Sequence, residues 1–203
     1  MRRVLIATSN AGKLRDFAGA AAAHGIAVAS LPDFDSLPSV PEDGATFEAN
    51  ARKKAEHYSR FAPGEIVLAD DSGLEVNALG GAPGVHSARY AAISSEENAD
   101  DRANNARLLR ELSHAADRRA RFVCVIAVAR DGHTLSTFRG EARGLILDAP
   151  RGSGGFGYDP LFFSPALCKT FAELRPKEKA AVSHRGAAFR KFLEWEEQQV
   201  KKT

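Results

Sequence analysis

The sequence predicts a mixed α/β protein, with helices towards both ends of the chain and a strand-rich middle. Three observations carry this. Short apolar runs of strand type alternate with helical spacings through the N-terminal third. Asp131-Gly132 sits between two apolar runs as a hairpin signature. An apolar stripe of helical period closes the chain. Long, curved central strands fit this order, and with them two lobes and a cleft.

Val4-Leu5-Ile6-Ala7 reads as the first strand and leads into Thr8-Ser9-Asn10-Ala11-Gly12-Lys13. Leu14, Phe17, Ala18 and Ala21 then keep helical spacing, and Gly25 is a good stop. A second strand is predicted over 26–30. Pro32, Pro38 and Pro41 mark an irregular connection. A helix is predicted over about 46–61, with Phe47, Ala51, Ala55 and Tyr58 inward and Pro63-Gly64 ending it. A buried strand over 66–69 follows, and Asp70-Asp71 stands at its end. Leu79-Gly80-Gly81-Ala82-Pro83-Gly84 is loop. Ser94 with Glu97 forms a capping box that opens a helix to about Leu112. Strands are predicted over 122–129 and 134–139, and another over 142–147. Residues 151–160 form a long Gly-rich turn. The last helix carries Phe189, Phe192, Leu193 and Val200 on one stripe.

At 203 residues the chain can bury a sizeable core, as one large domain or as two lobes over 1–203. A formal charge of +2 argues against nucleic acid or an acidic membrane surface as partner. Anion binding must then come from local clusters of Lys, Arg and His. Cys124 and Cys168 have no metal-type spacing, and Cys124 lies in an apolar run as a buried small residue. The lack of a disulfide framework favours a reducing compartment. The apolar run after Arg2-Arg3 stops by Ala7, too short for a signal peptide, and no segment has membrane-spanning length. A cytoplasmic protein is expected.

Four segments carry chemistry. Thr8 to Lys13 places backbone N–H groups and a lysine at a helix start, which suits a phosphate. It departs from a Walker A loop at Ala7 and Leu14, which excludes a P-loop kinase or ATPase. An ordinary turn capped by Asn10 is the alternative. Glu42 and Asp43 with Asp70 and Asp71 offer carboxylates for magnesium, which prefers a few of them plus water and substrate phosphates, although Glu42 and Asp43 taken alone read as solvated loop charges. One of Asp70-Asp71 can also orient a water as general base. In Gly154-Gly155-Phe156-Gly157-Tyr158-Asp159-Pro160 the glycines admit a flat ligand, the aromatics can stack on a base, and Asp159 can accept hydrogen bonds. The same aromatics could instead fill the core. Lys179, Ser183, His184 and Arg185 can neutralise a triphosphate, whereas Lys177 reads as a solvated surface cation. No Gly-x-Ser-x-Gly elbow supports a serine hydrolase.

These segments, in this order, resemble the inosine triphosphate pyrophosphatase family (non-canonical purine NTP pyrophosphatases). The resemblance also covers Thr46-Phe47-Glu48-Ala49-Asn50-Ala51, Ser87-Ala88-Arg89-Tyr90 and Ser183-His184-Arg185-Gly186. It implies a curved mixed central sheet forming two α/β lobes with an active-site cleft between them, and a homodimer. It implies Mg²⁺-dependent hydrolysis of ITP, dITP and XTP to the monophosphate and pyrophosphate, removing deaminated purines from the nucleotide pool. It gives Thr8, Ser9, Asn10, Ala11, Gly12 and Lys13 the phosphates, and Glu42 and Asp71 the metal. Asp71 also becomes the proton acceptor for the attacking water. Ser72, Phe156, Gly157, Tyr158, Asp159, Lys179, His184 and Arg185 become substrate-binding residues. The approach Pro38-Ser39-Val40-Pro41 to Glu42 has no close match in the family pattern. A Maf-like pyrophosphatase would open its motif with Ser-Pro-Arg-Arg, where this chain has Ser9-Asn10-Ala11-Gly12-Lys13.

Overall fold

The computed structural model describes residues 3–22, 24–92 and 99–200. Seven strands form one mixed sheet: β1 (Arg3–Ile6), β2 (Ala27–Ser30), β3 (Val67–Val76), β4 (Arg119–Arg130), β5 (His133–Ile146), β6 (Phe162–Ser164) and β7 (Lys169–Thr170). Their order is β2-β1-β3-β4-β5-β6-β7. β1 pairs parallel with β2 and β3, while β6 pairs antiparallel with β5 and β7. The helices are α1 (Ala11–Ala22), α2 (Phe47–Tyr58), α3 (Asp101–Glu111), α4 (Pro176–Val182) and α5 (His184–Val200). The mixed α/β expectation holds.

The chain divides into two compact units. Unit 1 is Met1–Asp71, Cys124–Glu141 and Ala180–Thr203; unit 2 is Ser72–Val123 and Ala142–Lys179. β3, β4 and β5 each contribute residues to both.

In unit 1, Val4, Ile6, Leu68, Ile126 and Val128 meet Phe17 and Ala21 of α1 and Phe189, Phe192 and Leu193 of α5. Phe17 and Phe189 lie 5.8 Å apart between ring centroids. Each such fully buried side chain stabilises the fold by about 1.5–3 kcal/mol. On α1, Ala20 is buried and Ala18 exposed, so the inward stripe is shifted from the expected one. On α2 the expected inner face, Phe47, Ala51, Ala55 and Tyr58, is buried, and Thr46 caps the helix by accepting from Ala49 N–H at 3.1 Å. Gly140 of β5 lets α5 approach the strand, because a Cβ there would lie 2.1 Å from the His184 carbonyl oxygen. That contact sets where α5 begins, and with it the position of His184 and Arg185.

Three expectations change. β3 does not end at Ala69 but runs on to Val76, so Asp70 and Asp71 lie inside it. The two strands predicted over 134–139 and 142–147 are the single β5, because Gly140 serves helix packing rather than a break. α3 begins at Asp101, since Asp100 is extended and its side chain accepts from Ala103 N–H at 2.7 Å. The predicted cap, Ser94 with Glu97, lies outside the described residues. The Asp131-Gly132 turn is present, with positive φ at both residues (52° and 84°) as a tight hairpin requires.

Unit 2 packs around Phe122, Phe162 and Phe171, with Phe122 and Phe162 centroids 4.5 Å apart. Tyr158 joins this core and donates its hydroxyl to the Ser87 carbonyl at 2.8 Å. Tyr90 donates to Glu111.

Burial pushes the phenols of Tyr58, Tyr90 and Tyr158 above the ordinary 10.0, and the Glu111 hydrogen bond helps bring Tyr90 up to about 12. The neutral phenol is favoured in the folded state, so its contribution to stability is complete below pH 10.0 and is lost as pH rises through the folded values. Tyrosinate absorbance of the folded protein should therefore stay low through pH 10.0, whereas the urea-unfolded chain should titrate there. Ordinary titration of a phenol in the folded protein would contradict the packing.

Candidate active site

The residues predicted from the sequence fall into two sets, one in each unit. In unit 1, the alternation of β3 sends the adjacent side chains of Asp70 and Asp71 to opposite faces of the strand. Asp70 meets α1 and α5. Lys13 Nζ lies 3.0 Å from its Oδ1, and Arg185 Nε lies 3.6 Å from its Oδ2. Burial alone would raise the Asp70 carboxyl, but Lys13, Arg185 and Lys54 overcome it and hold the group down at about 2. Asp70 is a fixed anion.

Asp71 meets α2. Its Oδ2 accepts from Asn50 Nδ2 at 2.9 Å, and Lys54 Nζ lies 3.9 Å from its Oδ1. Here burial prevails over Lys54, Lys13 and the Asn50 hydrogen bond, with Glu42 adding to it, and the carboxyl lies above its ordinary value. Two neighbours in sequence are thus driven apart in proton affinity, which suits one to charge neutralisation and the other to accepting a proton.

Asn50 also ties down the loop ahead of α2. It accepts from Gly44 N–H at 2.7 Å, and a Cβ on Gly44 would lie 2.6 Å from the same oxygen. Lys54 donates to Glu42 at 2.7 Å and Lys53 pairs with Asp43 at 2.7 Å. Burial works against the Lys54 ammonium, but Asp71, Glu42 and Asp70 outweigh it and raise its pKa. Glu42 and Asp71 therefore share one cationic neighbour. Two hard carboxylate donors around a cation fit magnesium, which keeps waters and takes phosphate oxygens for its remaining positions. A complete protein cage is absent: among the described residues, no group of three or more His, Cys, Asp or Glu is placed to hold a metal.

The turn from Thr8 to Lys13 is braced from within. Thr8 Oγ1 accepts from Asn10 N–H at 3.2 Å, and Asn10 Oδ1 caps α1 by accepting from Lys13 N–H at 3.0 Å. Ser30 Oγ donates to the Thr8 carbonyl at 2.8 Å. Thr8 and Gly12 are buried, while Ser9, Asn10 and Ala11 are exposed. At the start of α5, His184 and Arg185 are buried. Arg185 Nη1 donates to Asp16 Oδ2 at 3.2 Å and lies 3.2 Å from His184 Nε2.

The set in unit 2 is Ser72, Phe156, Gly157, Tyr158, Asp159 and Lys179. Asp159 organises it. Its buried Oδ2 accepts from Phe156 N–H at 2.9 Å and from Lys179 Nζ at 2.7 Å. Gly155 makes this possible, because a Cβ there would lie 2.1 Å from that oxygen. The Lys179 ammonium stands 5.0 Å from the Phe156 ring centroid, a cation–π contact. Phe156 stays half-buried, whereas Tyr158 fills the core, so the two aromatics have different surroundings.

The sequence matches the model of the Ham1 family over residues 4–195. The chain belongs to the Ham1 family. A relative from Acidobacterium capsulatum, named dITP/XTP pyrophosphatase, is 51% identical over 193 residues, 93% of this chain and 95% of its own length. One of the same name from Geobacillus kaustophilus is 51% identical over 97% of this chain and 96% of its own. The solved Ham1 protein of Staphylococcus aureus is 41% identical, with a TM-score of 0.81 over 98% of this chain and 100% of that one. The family resemblance carried by the motifs is thereby borne out.

Reading this Ham1 sequence for motifs missed Asn50 and Lys54 as partners of Asp71, and Asp16 as a partner of Arg185. A signal for the first two existed. Asn50 and Lys54 interleave with Phe47, Ala51, Ala55 and Tyr58 at helical spacing, so both polar side chains fall on the inward face of α2.

Asp70→Asn should leave Lys13 and Arg185 facing a neutral group and destabilise the protein by about 3 kcal/mol in urea unfolding. Asp43→Asn removes only an exposed pair with Lys53 and should leave the midpoint unchanged. Equal effects from the two variants would refute the assignment of Asp70 as a buried, cation-held anion.

Proposed function

We propose that this protein hydrolyses the deaminated purine nucleoside triphosphates ITP, dITP and XTP to the nucleoside monophosphate and pyrophosphate, with magnesium, and so clears them from the nucleotide pool. The observation that carries the reading is the Asp71 carboxylate: buried, hydrogen-bonded by Asn50, close to Lys54, and raised in proton affinity. That affinity belongs to the site without magnesium and is lowered by the bound ion, so what the carboxylate offers is its fixed place on Asn50, from which it can align a water and accept its proton.

In this reading the turn from Thr8 to Lys13 receives the phosphates at the N-terminus of α1. Glu42 and Asp71 hold magnesium, which when bound supplies charge neutralisation of the phosphate oxygens. Asn50 orients Asp71 so that the carboxylate can align the water and take its proton. Lys54 fixes the spacing of Glu42 and Asp71. His184 and Arg185 complete the phosphate end and Ser72 contacts substrate. At the base end the purine stacks on Phe156, on the ring face opposite Lys179. A 6-oxo group is an acceptor and adenine's 6-amino group a donor, so a cation at this end favours hypoxanthine and xanthine. Lys179, paired with Asp159 at 2.7 Å, is the cation at this end. Rejection of guanine must act at its 2-amino group.

A cytoplasmic homodimer belongs to the same proposal. Cys124 and Cys168 are unpaired, which fits a reducing compartment, and no described helix is long and apolar enough to cross a membrane.

Incubation with dITP, XTP, ITP, ATP and GTP should give monophosphate and pyrophosphate from the first three, and chelation of magnesium should stop it. Orthophosphate with a nucleoside diphosphate would refute the reading. Asp71→Asn should lower kcat by about 10³-fold while nucleotide binding, followed by calorimetry, persists. Turnover near that of the parent protein would remove Asp71 from the chemistry.

A further inference from the structure

One residue of the Gly-rich turn is held by α3 through both of its flanking peptide groups. The Gly157 N–H donates to Asp101 Oδ2 at 2.6 Å, and the Gly157 carbonyl accepts from Asn105 Nδ2 at 2.9 Å. Asp101 and Asn105 are four positions apart on the helix, so their side chains share a face. Asn105 Nδ2 also donates to the Asp101 carbonyl at 2.7 Å. This fixes the amide's orientation, since a flipped amide would set its oxygen against two carbonyls. The consequence is that Asn105 Oδ1 is buried with no hydrogen-bond partner among the described residues. A side chain needed only to fill space would not carry that penalty.

Neither residue is needed to begin the helix, because Asp100 supplies the cap to Ala103. What they grip is a residue with φ of 61°, in the left-handed region. Phe156 precedes it, with its N–H held by Asp159, and Tyr158 follows it, with its hydroxyl on Ser87. The turn is thus pinned on each side of Phe156, and α3 supplies the pins at Gly157.

We infer that Asp101 and Asn105 are positioning residues for base recognition, which clamp the two peptide groups of Gly157 so that the Phe156 ring stands ready for the purine. The inference rests on the reading of Phe156 as the base platform. Loss of the clamp leaves the turn free to sample other conformations, and the nucleotide must then order it on binding. The effect falls on KM. Once substrate is bound, water attack depends on Asp71 and its neighbours, and kcat is retained.

The test is steady-state hydrolysis of dITP, with thermal midpoints, for Asp101→Ala, Asp101→Asn, Asn105→Asp and Phe156→Ala. Asp101→Ala and Asn105→Asp should each raise KM about tenfold, with kcat within about twofold of the parent. Asp101→Asn keeps an acceptor oxygen for the Gly157 N–H and should restore the parent KM. Parent-like KM in Asp101→Ala and Asn105→Asp, together with a raised KM in Phe156→Ala, would overturn the clamp and leave the base platform standing. An unchanged KM in Phe156→Ala would overturn the platform and the clamp with it. If Asn105→Asp fails to fold, the pair Asp101→Ala and Asp101→Asn decides. A loss in kcat rather than KM, or no rescue by Asp101→Asn, would mark the contact as structural only and refute the inference.

Discussion

Burying a carboxylate in a sheet costs several kcal/mol unless a cation or a donor meets it there. β3 buries two in succession, Asp70 and Asp71, and the neighbouring elements of unit 1 are arranged to meet them. A strand turns consecutive side chains to opposite faces, so the direct partners of the two come from different helices. α1 and α5 bring Lys13 and Arg185 to Asp70, and α2 brings Asn50 and Lys54 to Asp71. The close approach of α5 to β5 at Gly140 then has a purpose beyond packing, because it fixes the start of the helix that carries Arg185.

The asymmetry of the two environments decides what each carboxylate can do. Three cations lower Asp70 in spite of its burial, so it stays charged and immobile. Asp71 has a neutral amide at 2.9 Å and an ammonium at 3.9 Å, a weaker compensation, and burial wins. The distances explain the sign. Coulomb attraction falls with separation, and the Lys54 ammonium is nearer to Glu42, at 2.7 Å, than to Asp71. Glu42 therefore acts on Asp71 through Lys54. By drawing Lys54 towards itself it leaves Asp71 the more basic of the two adjacent acids.

Much of this was legible in the sequence, and the rest was not, for a common reason. Periodicity located α1, α2 and α5, because each repeats its apolar residues over several turns. The hairpin was legible in Asp131-Gly132, where both residues need positive φ. The motifs located the acidic residues and the Gly-rich turn. What the sequence hid was partnership across distance. A strand with two acids in its middle looks as if it ends there, because the cations that sustain it lie on α1, α2 and α5. Gly140 looks like a strand break, because the helix backbone it admits is far along the chain. Asp159 was read as an acceptor for a base, yet its buried oxygen is already taken by Phe156 N–H and Lys179.

That last point bears on how a flat ligand can be recognised at all. A free carboxylate beside a half-buried ring would be hydrated and mobile, and a base would have to displace that water before stacking. With Asp159 neutralised by Lys179 and bonded to the backbone of Phe156, the turn has its charge balanced and its geometry set before any ligand arrives. The ammonium remains 5.0 Å from the ring centroid, a cation–π contact that holds one face of the Phe156 ring. In the proposed reading a cation at this end favours an oxo acceptor over adenine's amino donor, and guanine, which carries the same oxo group, is told apart at its 2-amino group.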